Sequence, residues 1–178
     1  MDRDGVLNVN RDDYVKSLSE FQFVPGALEA VERLAKLGLP MAIISNQQGI
    51  GKGLIGLVPL KEINELIHRE FEERGAELLG IYYCPHLASE GCACRKPELG
   101  LFERAVQDHG IDLSRSYYIG DSESDACAGV RAGCTTVIVL SGKTKKAPSG
   151  WQCSPHHVCR DLPEAADWIM QAEKGRED

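Results

Sequence analysis

Apolar residues repeat along the chain in two alternating patterns, one at helical spacing and one nearly unbroken over five to seven positions. Over 25–38, Ala27, Leu28, Val31, Leu34 and Ala35 fall on one face of a helix that Pro25 opens and Gly38 closes. The run 39–45 is apolar almost throughout and breaks at Asn46-Gln47-Gln48-Gly49, which predicts a strand buried on both faces. The patterns then recur as a helix over 59–74, a strand over 78–83, a helix over 98–109, a strand over 116–120 and a helix over 124–131. A β-branched strand over 134–140, a short strand over 156–160 and a helix over 163–173 seeded by Pro163 complete the series. Stretches 5–24, 84–94 and 141–155 read as loops, 51–58 fits neither pattern, and the tail 176–178 is expected to fray.

This alternation predicts an α/β fold: a Rossmann-like parallel sheet sandwiched by helices, with right-handed crossovers. Ligands in such folds bind at the carboxyl ends of strands. Asp2/Asp4, Ser45/Asn46, Arg95/Lys96 and Asp121/Asp125 lie in four separate strand-end or loop segments, and one crevice is expected to gather them.

A length of 178 residues suits one domain over 1–178 with one core. The formal charge of -7 argues against a broad nucleic-acid surface, so any anion site must be built locally for a small partner, on a chain expected to be a monomer. No apolar stretch reaches bilayer length, and the charged opening leads into no signal-peptide core, so the cytoplasm is the expected compartment and no membrane partner is expected. The seven cysteines then read as thiols and metal ligands, with the scattered Cys127, Cys134, Cys153 and Cys159 as buried small hydrophobes or incidental thiols.

Asp2 and Asp4, one residue apart, point the same way on an extended backbone and can divide nucleophilic and acid/base roles. Asp121 opens the oxygen-rich Asp121-Ser122-Glu123-Ser124-Asp125, which suits Mg2+ and also offers Ser122 or Ser124 as a helix cap. Ser45 adds a hydroxyl and Lys96 a positive charge, the chemistry that a transferring phosphoryl group needs. Cys84, His86, Cys92 and Cys94 place three soft sulfurs and an imidazole in loop 84–94, a closed set for structural Zn2+. Cys153 and His156 are too sparse a pair for another site, and His68 and His109 read as ordinary helix residues.

The pieces Asp2-Arg3-Asp4-Gly5, Ser45-Asn46-Gln47, Arg95-Lys96-Pro97 and Gly120-Asp121-Ser122-Glu123-Ser124-Asp125 resemble, in order, the four motifs of haloacid dehalogenase-type phosphatases, over nearly the whole chain. With its cysteine loop the chain is similar to the D-glycero-D-manno-heptose 1,7-bisphosphate 7-phosphatase family, itself related to histidinol-phosphate phosphatases. That resemblance implies a haloacid dehalogenase fold without a large cap. It also implies hydrolysis of the 7-phosphate of that small phosphorylated sugar, in nucleotide-heptose and lipopolysaccharide synthesis. Under it, Asp2 is the nucleophile that becomes an aspartyl-phosphate, and Asp4 is the acid/base. Mg2+ lies on Asp2, the Asp4 carbonyl and Asp121, with Asp125 supporting the loop, while Ser45 and Lys96 hold the phosphoryl group and Asn46 and Arg95 help bind substrate.

The alternatives are a histidinol-phosphate phosphatase and a zinc-stabilised phosphosugar-binding relative that lacks turnover. In one respect the chain departs from the family pattern: an apolar strand normally leads into the first motif, and here Met1 alone precedes Asp2. A short apolar segment ahead of Met1 is therefore expected to raise both stability and activity.

Overall fold

The computed structural model describes residues 1–177. Five parallel strands form two groups. Strand β1 (Met41–Asn46) pairs with β2 (Leu78–Cys84), in a register that sets Ile43 against Ile81 and Asn46 against Cys84. The second group runs in the order β3 (Tyr117–Gly120), β4 (Thr135–Val139), β5 (His157–Cys159), with Val137 facing both Ile119 and His157. Met1 and Asp2 join the groups. The Met1 nitrogen donates to the Ala42 carbonyl at 2.8 Å and its carbonyl accepts from the Ile44 N–H at 2.9 Å, while the Asp2 N–H donates to the Ile119 carbonyl at 2.8 Å. A cavity of about 570 Å³ opens behind this seam, lined among others by Met1, Ala42, Ile44, Phe102, Tyr118 and Ile119.

Strand pleating sends neighbouring residues to opposite faces. Ile43 and Ile119 accordingly belong to one apolar cluster and Ile44 and Tyr118 to another. The first cluster is covered by α1 (Ala27–Ala35), α3 (Leu57–Glu72) and α6 (Leu162–Glu177), the second by α4 (Gly100–His109) and α5 (Glu123–Arg131). Helix α1 buries Ala27, Ala30, Val31 and Leu34, the spacing that makes one stripe, and Arg33 ties it to Asp167 of α6 at 2.7 Å.

Element order follows the periodicity, and the differences lie at ends. The ambiguous 51–58 separates a single turn, α2 (Gln48–Gly51), from α3, which starts two residues ahead of Pro59. A proline in the first turn removes only an N–H that would have had no helical partner. Helix α6 runs to Glu177, into the stretch expected to fray, and residue 178 lies outside the described residues. Among the described residues no helix is long and apolar enough to cross a membrane.

Candidate active site

The carboxyl ends of the strands bring the four polar groups together, and Lys96 is their hub. Its side chain is 1 % exposed, with Nζ 3.0 Å from Asp2 Oδ2 and 2.6 Å from Asp125 Oδ1. Nζ also donates to the Ile44 carbonyl at 2.8 Å and the Tyr118 hydroxyl at 2.9 Å. Burial works against the ammonium, but Asp125 and Asp2 outweigh it and raise its pKa, so Lys96 is a fixed cation. Asp2 is buried, with Oδ1 accepting the Arg3 N–H at 2.7 Å. Burial raises its pKa, with Asp125 and Asp4 adding repulsion and Lys96 and Ser45 opposing.

Asp4 lies in the opposite regime. Desolvation works against its charge, yet the Arg3 guanidinium and bonds from Asn8, Gln47 and Arg3 hold it below the ordinary carboxylate range. Arg3 Nη2 approaches Oδ1 at 2.9 Å, Asn8 Nδ2 donates at 2.8 Å and Gln47 Nε2 at 2.5 Å. Arg3 is fully buried and also meets the Tyr83 hydroxyl at 3.5 Å. Two neighbouring carboxylates thus have their proton affinities pushed apart, the usual mark of divided acid/base roles.

Asp121 follows β3 directly and packs against main chain. A Cβ at Gly142 would come within 1.9 Å of its Oδ2 and one at Gly5 within 2.2 Å, so both neighbours must be glycine. Lys143 N–H donates to Asp121 Oδ2 at 2.6 Å and Thr144 N–H to its carbonyl at 3.1 Å. Burial, then Asp2 and Asp125, push the Asp121 carboxyl up to about 8. Asp2, Asp121 and Asp125 each place an oxygen within 4.8 Å of the others. When all three are ionised, Lys96 offsets one charge and two remain, a set of hard oxygens that fits a dication. The oxygens of Asp125 are engaged: Oδ1 by Lys96 and Tyr118, Oδ2 by the Asp121 and Ser122 N–H groups and the Ser122 hydroxyl. It completes the capping box of α5 with Ser122 and anchors Lys96; Asp2 meets the Arg3 N–H and Lys96, and Asp121 the Lys143 N–H, so of the three Asp125 is the most fully engaged.

Asn46 grips the main chain of Lys96 with both ends of its amide. Arg95 is half-buried and reaches the His86 carbonyl at 3.4 Å, which ties it to the cysteine loop. In that loop Cys84 Sγ lies 3.6 Å from both His86 Nδ1 and Cys92 Sγ, Cys94 Sγ lies 3.2 Å from His86 Nδ1, and the Cys92 and Cys94 sulfurs are 3.5 Å apart. Burial pushes the Cys84 thiol up to about 12; at Cys92, burial acts the same way but bonds with Cys94 and Cys84 bring it down to about 7. The cluster is able to hold a metal. One expectation is corrected: Cys127 and Cys153 are joined as a disulfide, because loop 141–155 folds back over α5, a proximity that a sequence separation of 26 does not reveal. Arg3, Asn8, Gln47 and Tyr118 carry no role in the sequence reading. Arg3 and Gln47 stand inside the quoted motifs, which was their only signal.

A HAD-hydrolase-like family model matches residues 93–165. The D-glycero-beta-D-manno-heptose-1,7-bisphosphate 7-phosphatase of Helicobacter pylori is 37 % identical over 170 residues, covering 95 % of this chain and 94 % of that protein. The enzyme of the same name from Neisseria meningitidis is 37 % identical over 174 residues, 96 % of this chain and 93 % of its own length. The crystal structure of the D,D-heptose 1,7-bisphosphate phosphatase from B. bronchiseptica, complexed with magnesium and phosphate, superposes with a TM-score of 0.88 at 35 % identity and 96 % coverage of both chains. This likeness extends over nearly the whole chain, and the chain belongs to the D-glycero-D-manno-heptose 1,7-bisphosphate 7-phosphatase family of the haloacid dehalogenase superfamily.

Proposed function

We propose that the chain is a cytoplasmic Mg2+-dependent phosphatase that removes the 7-phosphate of D-glycero-D-manno-heptose 1,7-bisphosphate, as the β anomer, in lipopolysaccharide synthesis. The observation that carries this reading is the buried Lys96 ammonium 3.0 Å from Asp2, with Asp121 in the same carboxylate cluster. Asp2, Asp121 and the Asp4 carbonyl would hold Mg2+, which would supply positive charge against the phosphoryl oxygens.

An Asp2 oxygen attacks phosphorus and the bond to the sugar oxygen breaks, while Asp4 gives that oxygen a proton. Ser45 and Lys96 hold the transferring group. Asp4 then takes a proton from water, which attacks the aspartyl-phosphate and releases phosphate, regenerating Asp2. Because Arg3, Asn8 and Gln47 hold Asp4 ionised at rest, its proton is loaded as the anionic substrate enters and offsets Arg3.

Structural Zn2+ in loop 84–94 is the second part of the reading. Zn–S arms of about 2.3 Å give tetrahedral edges of about 3.8 Å. The ligand separations of 3.2–3.6 Å support that size of cage. The cage sets Arg95 and Lys96 at its exit.

Phosphate release from both heptose bisphosphate anomers and histidinol phosphate tests the reading. The β bisphosphate is expected to have the highest kcat/KM and to yield the 1-phosphate. Faster turnover of histidinol phosphate, or tight binding without phosphate release, would overturn it.

A further inference from the structure

We propose that the Cys127–Cys153 disulfide is a redox clamp that fixes loop 141–155 over Asp121, so that reduction loosens the loop and weakens Mg2+ binding. The proposal rests on the reading of Asp121 as a magnesium carboxylate. Cys127 lies in α5, two residues after Asp125, which is the capping-box partner of Ser122 in that helix and the ion-pair partner of Lys96. The near end of the loop is built into the site through the Lys143 and Thr144 N–H bonds to Asp121 and the Ser141 hydroxyl bond to the Gly5 carbonyl at 2.8 Å. Its far end is held to α5 by the disulfide and by the Gln152 N–H on Glu123 Oε1 at 2.8 Å. Between the two ends Lys145, Lys146, Ala147, Ser149 and Gly150 are exposed. Release of the far end lengthens the free segment, whose added conformational freedom competes with the two bonds to Asp121.

The exchange is polarised. Cys127 is 5 % exposed while Cys153 is half-buried, so a thiolate of a dithiol reductant attacks the Cys153 sulfur. The Cys127–Cys153 bond breaks, a mixed disulfide forms on Cys153, and Cys127 leaves as a thiolate and takes a proton. The second reductant thiol displaces Cys153, so the reductant ends as its disulfide and the protein gains two electrons and two protons.

The test compares air-oxidised and dithiol-reduced protein, each beside Cys153→Ser, which separates this pair from any reductant effect at Cys84, Cys92 and Cys94. Reduction is expected to speed amide exchange at Lys143 and Thr144, read by NMR without metal, by about tenfold. It is also expected to raise the half-saturating Mg2+ concentration about threefold or more, with Cys153→Ser fixed near the reduced values under both conditions. Faster exchange with unchanged Mg2+ response would leave the disulfide as a loop clamp but overturn its control of Mg2+ binding, and with it the reading of Asp121 on which that control rests. Unchanged exchange on reduction, or two alkylatable thiols at Cys127 and Cys153 in the air-oxidised protein, would overturn the clamp.

Discussion

Asn46 holds Lys96 by its main chain: the Asn46 amide donates to the Lys96 carbonyl at 3.1 Å and accepts from the Lys96 N–H at 3.0 Å. The end of one strand thereby fixes the residue whose ammonium meets Asp2. Removing two such bonds in Asn46→Ala costs about 2 kcal/mol of positioning, or about 30-fold in rate. The fall is expected in kcat with KM changed little. A rise in KM alone would show that Asn46 acts on substrate directly.

Asp2→Asn is expected to lose at least about 1,000-fold in activity and to form no hydroxylamine-sensitive phosphoenzyme. Its thermal midpoint without metal at pH 8 is expected to equal or exceed that of the unaltered protein, because the change removes a buried charge that repels Asp121 and Asp125. A clearly lower midpoint would mean that Lys96 depends on Asp2 more than on Asp125. Mass analysis excludes deamidation back to Asp.

Asp121 predicts a pH dependence. Its carboxyl rises from 3.8 to about 8 on folding, so the folded metal-free protein keeps a proton that the unfolded chain gives up. Metal-free stability therefore falls as pH rises from about 4 towards 8 and is lowest above that window. If Asp121 holds Mg2+ as proposed, binding has to displace this proton, and apparent Mg2+ affinity is expected to climb with pH up to about 8 and then level. Calorimetry at pH 7 in buffers of different ionisation enthalpy is expected to show release of about one proton; heats independent of buffer would contradict the shift.

The residues that bear charge were legible in the sequence, and the residues that orient them were not. Asp2, Asp4, Asp121 and Lys96 are weak signals singly and are read from four motifs that stand in the order of the haloacid dehalogenase-type phosphatases. Tyr118 reads as an ordinary strand aromatic, and only the fold sets its hydroxyl 2.9 Å from Lys96 Nζ and 3.1 Å from Asp125. The family resemblance gives Asn46 a substrate role, and its position in the sequence does not reveal its two bonds to the Lys96 main chain. The pairing of Cys127 with Cys153 was missed for the same reason, since it depends on how a loop without periodicity returns to α5.

The cysteine cage predicts a linked loss. Cys92→Ser with Cys94→Ser is expected to abolish a zinc content of about one per chain and to lower the thermal midpoint by roughly 10 °C. Activity falls with it, because Arg95 and Lys96 directly follow the cage. Unchanged zinc in the folded double variant would refute the ligand set.

The cavity behind Met1 predicts a gain. Four apolar residues added ahead of Met1 extend the parallel run begun by its bonds to Ala42 and Ile44. Burying roughly 300 Å² of apolar surface at about 25 cal/mol/Å² yields about 7 kcal/mol, and ordering four residues costs about 6, a net gain near 1 kcal/mol. The midpoint is expected to rise by about 2–4 °C, with a higher kcat/KM. Equal values for the two lengths would show that the seam is already complete.

The seam also decides how the molecule transmits force. Ser45 belongs to the β1 group, whose end also fixes Lys96 through Asn46, while Asp121 and Asp125 belong to the β3 group; Asp2 is bonded to the second group and, through Met1, to the first. A slide of one group past the other would therefore change the spacing between Ser45 and Asp121 and load the Lys96–Asp125 ion pair that bridges the two groups. Asp2 sits where the two groups meet, bonded to one directly and to the other through Met1, so a load that shifts the groups reaches this carboxylate through both of its neighbours in the sheet.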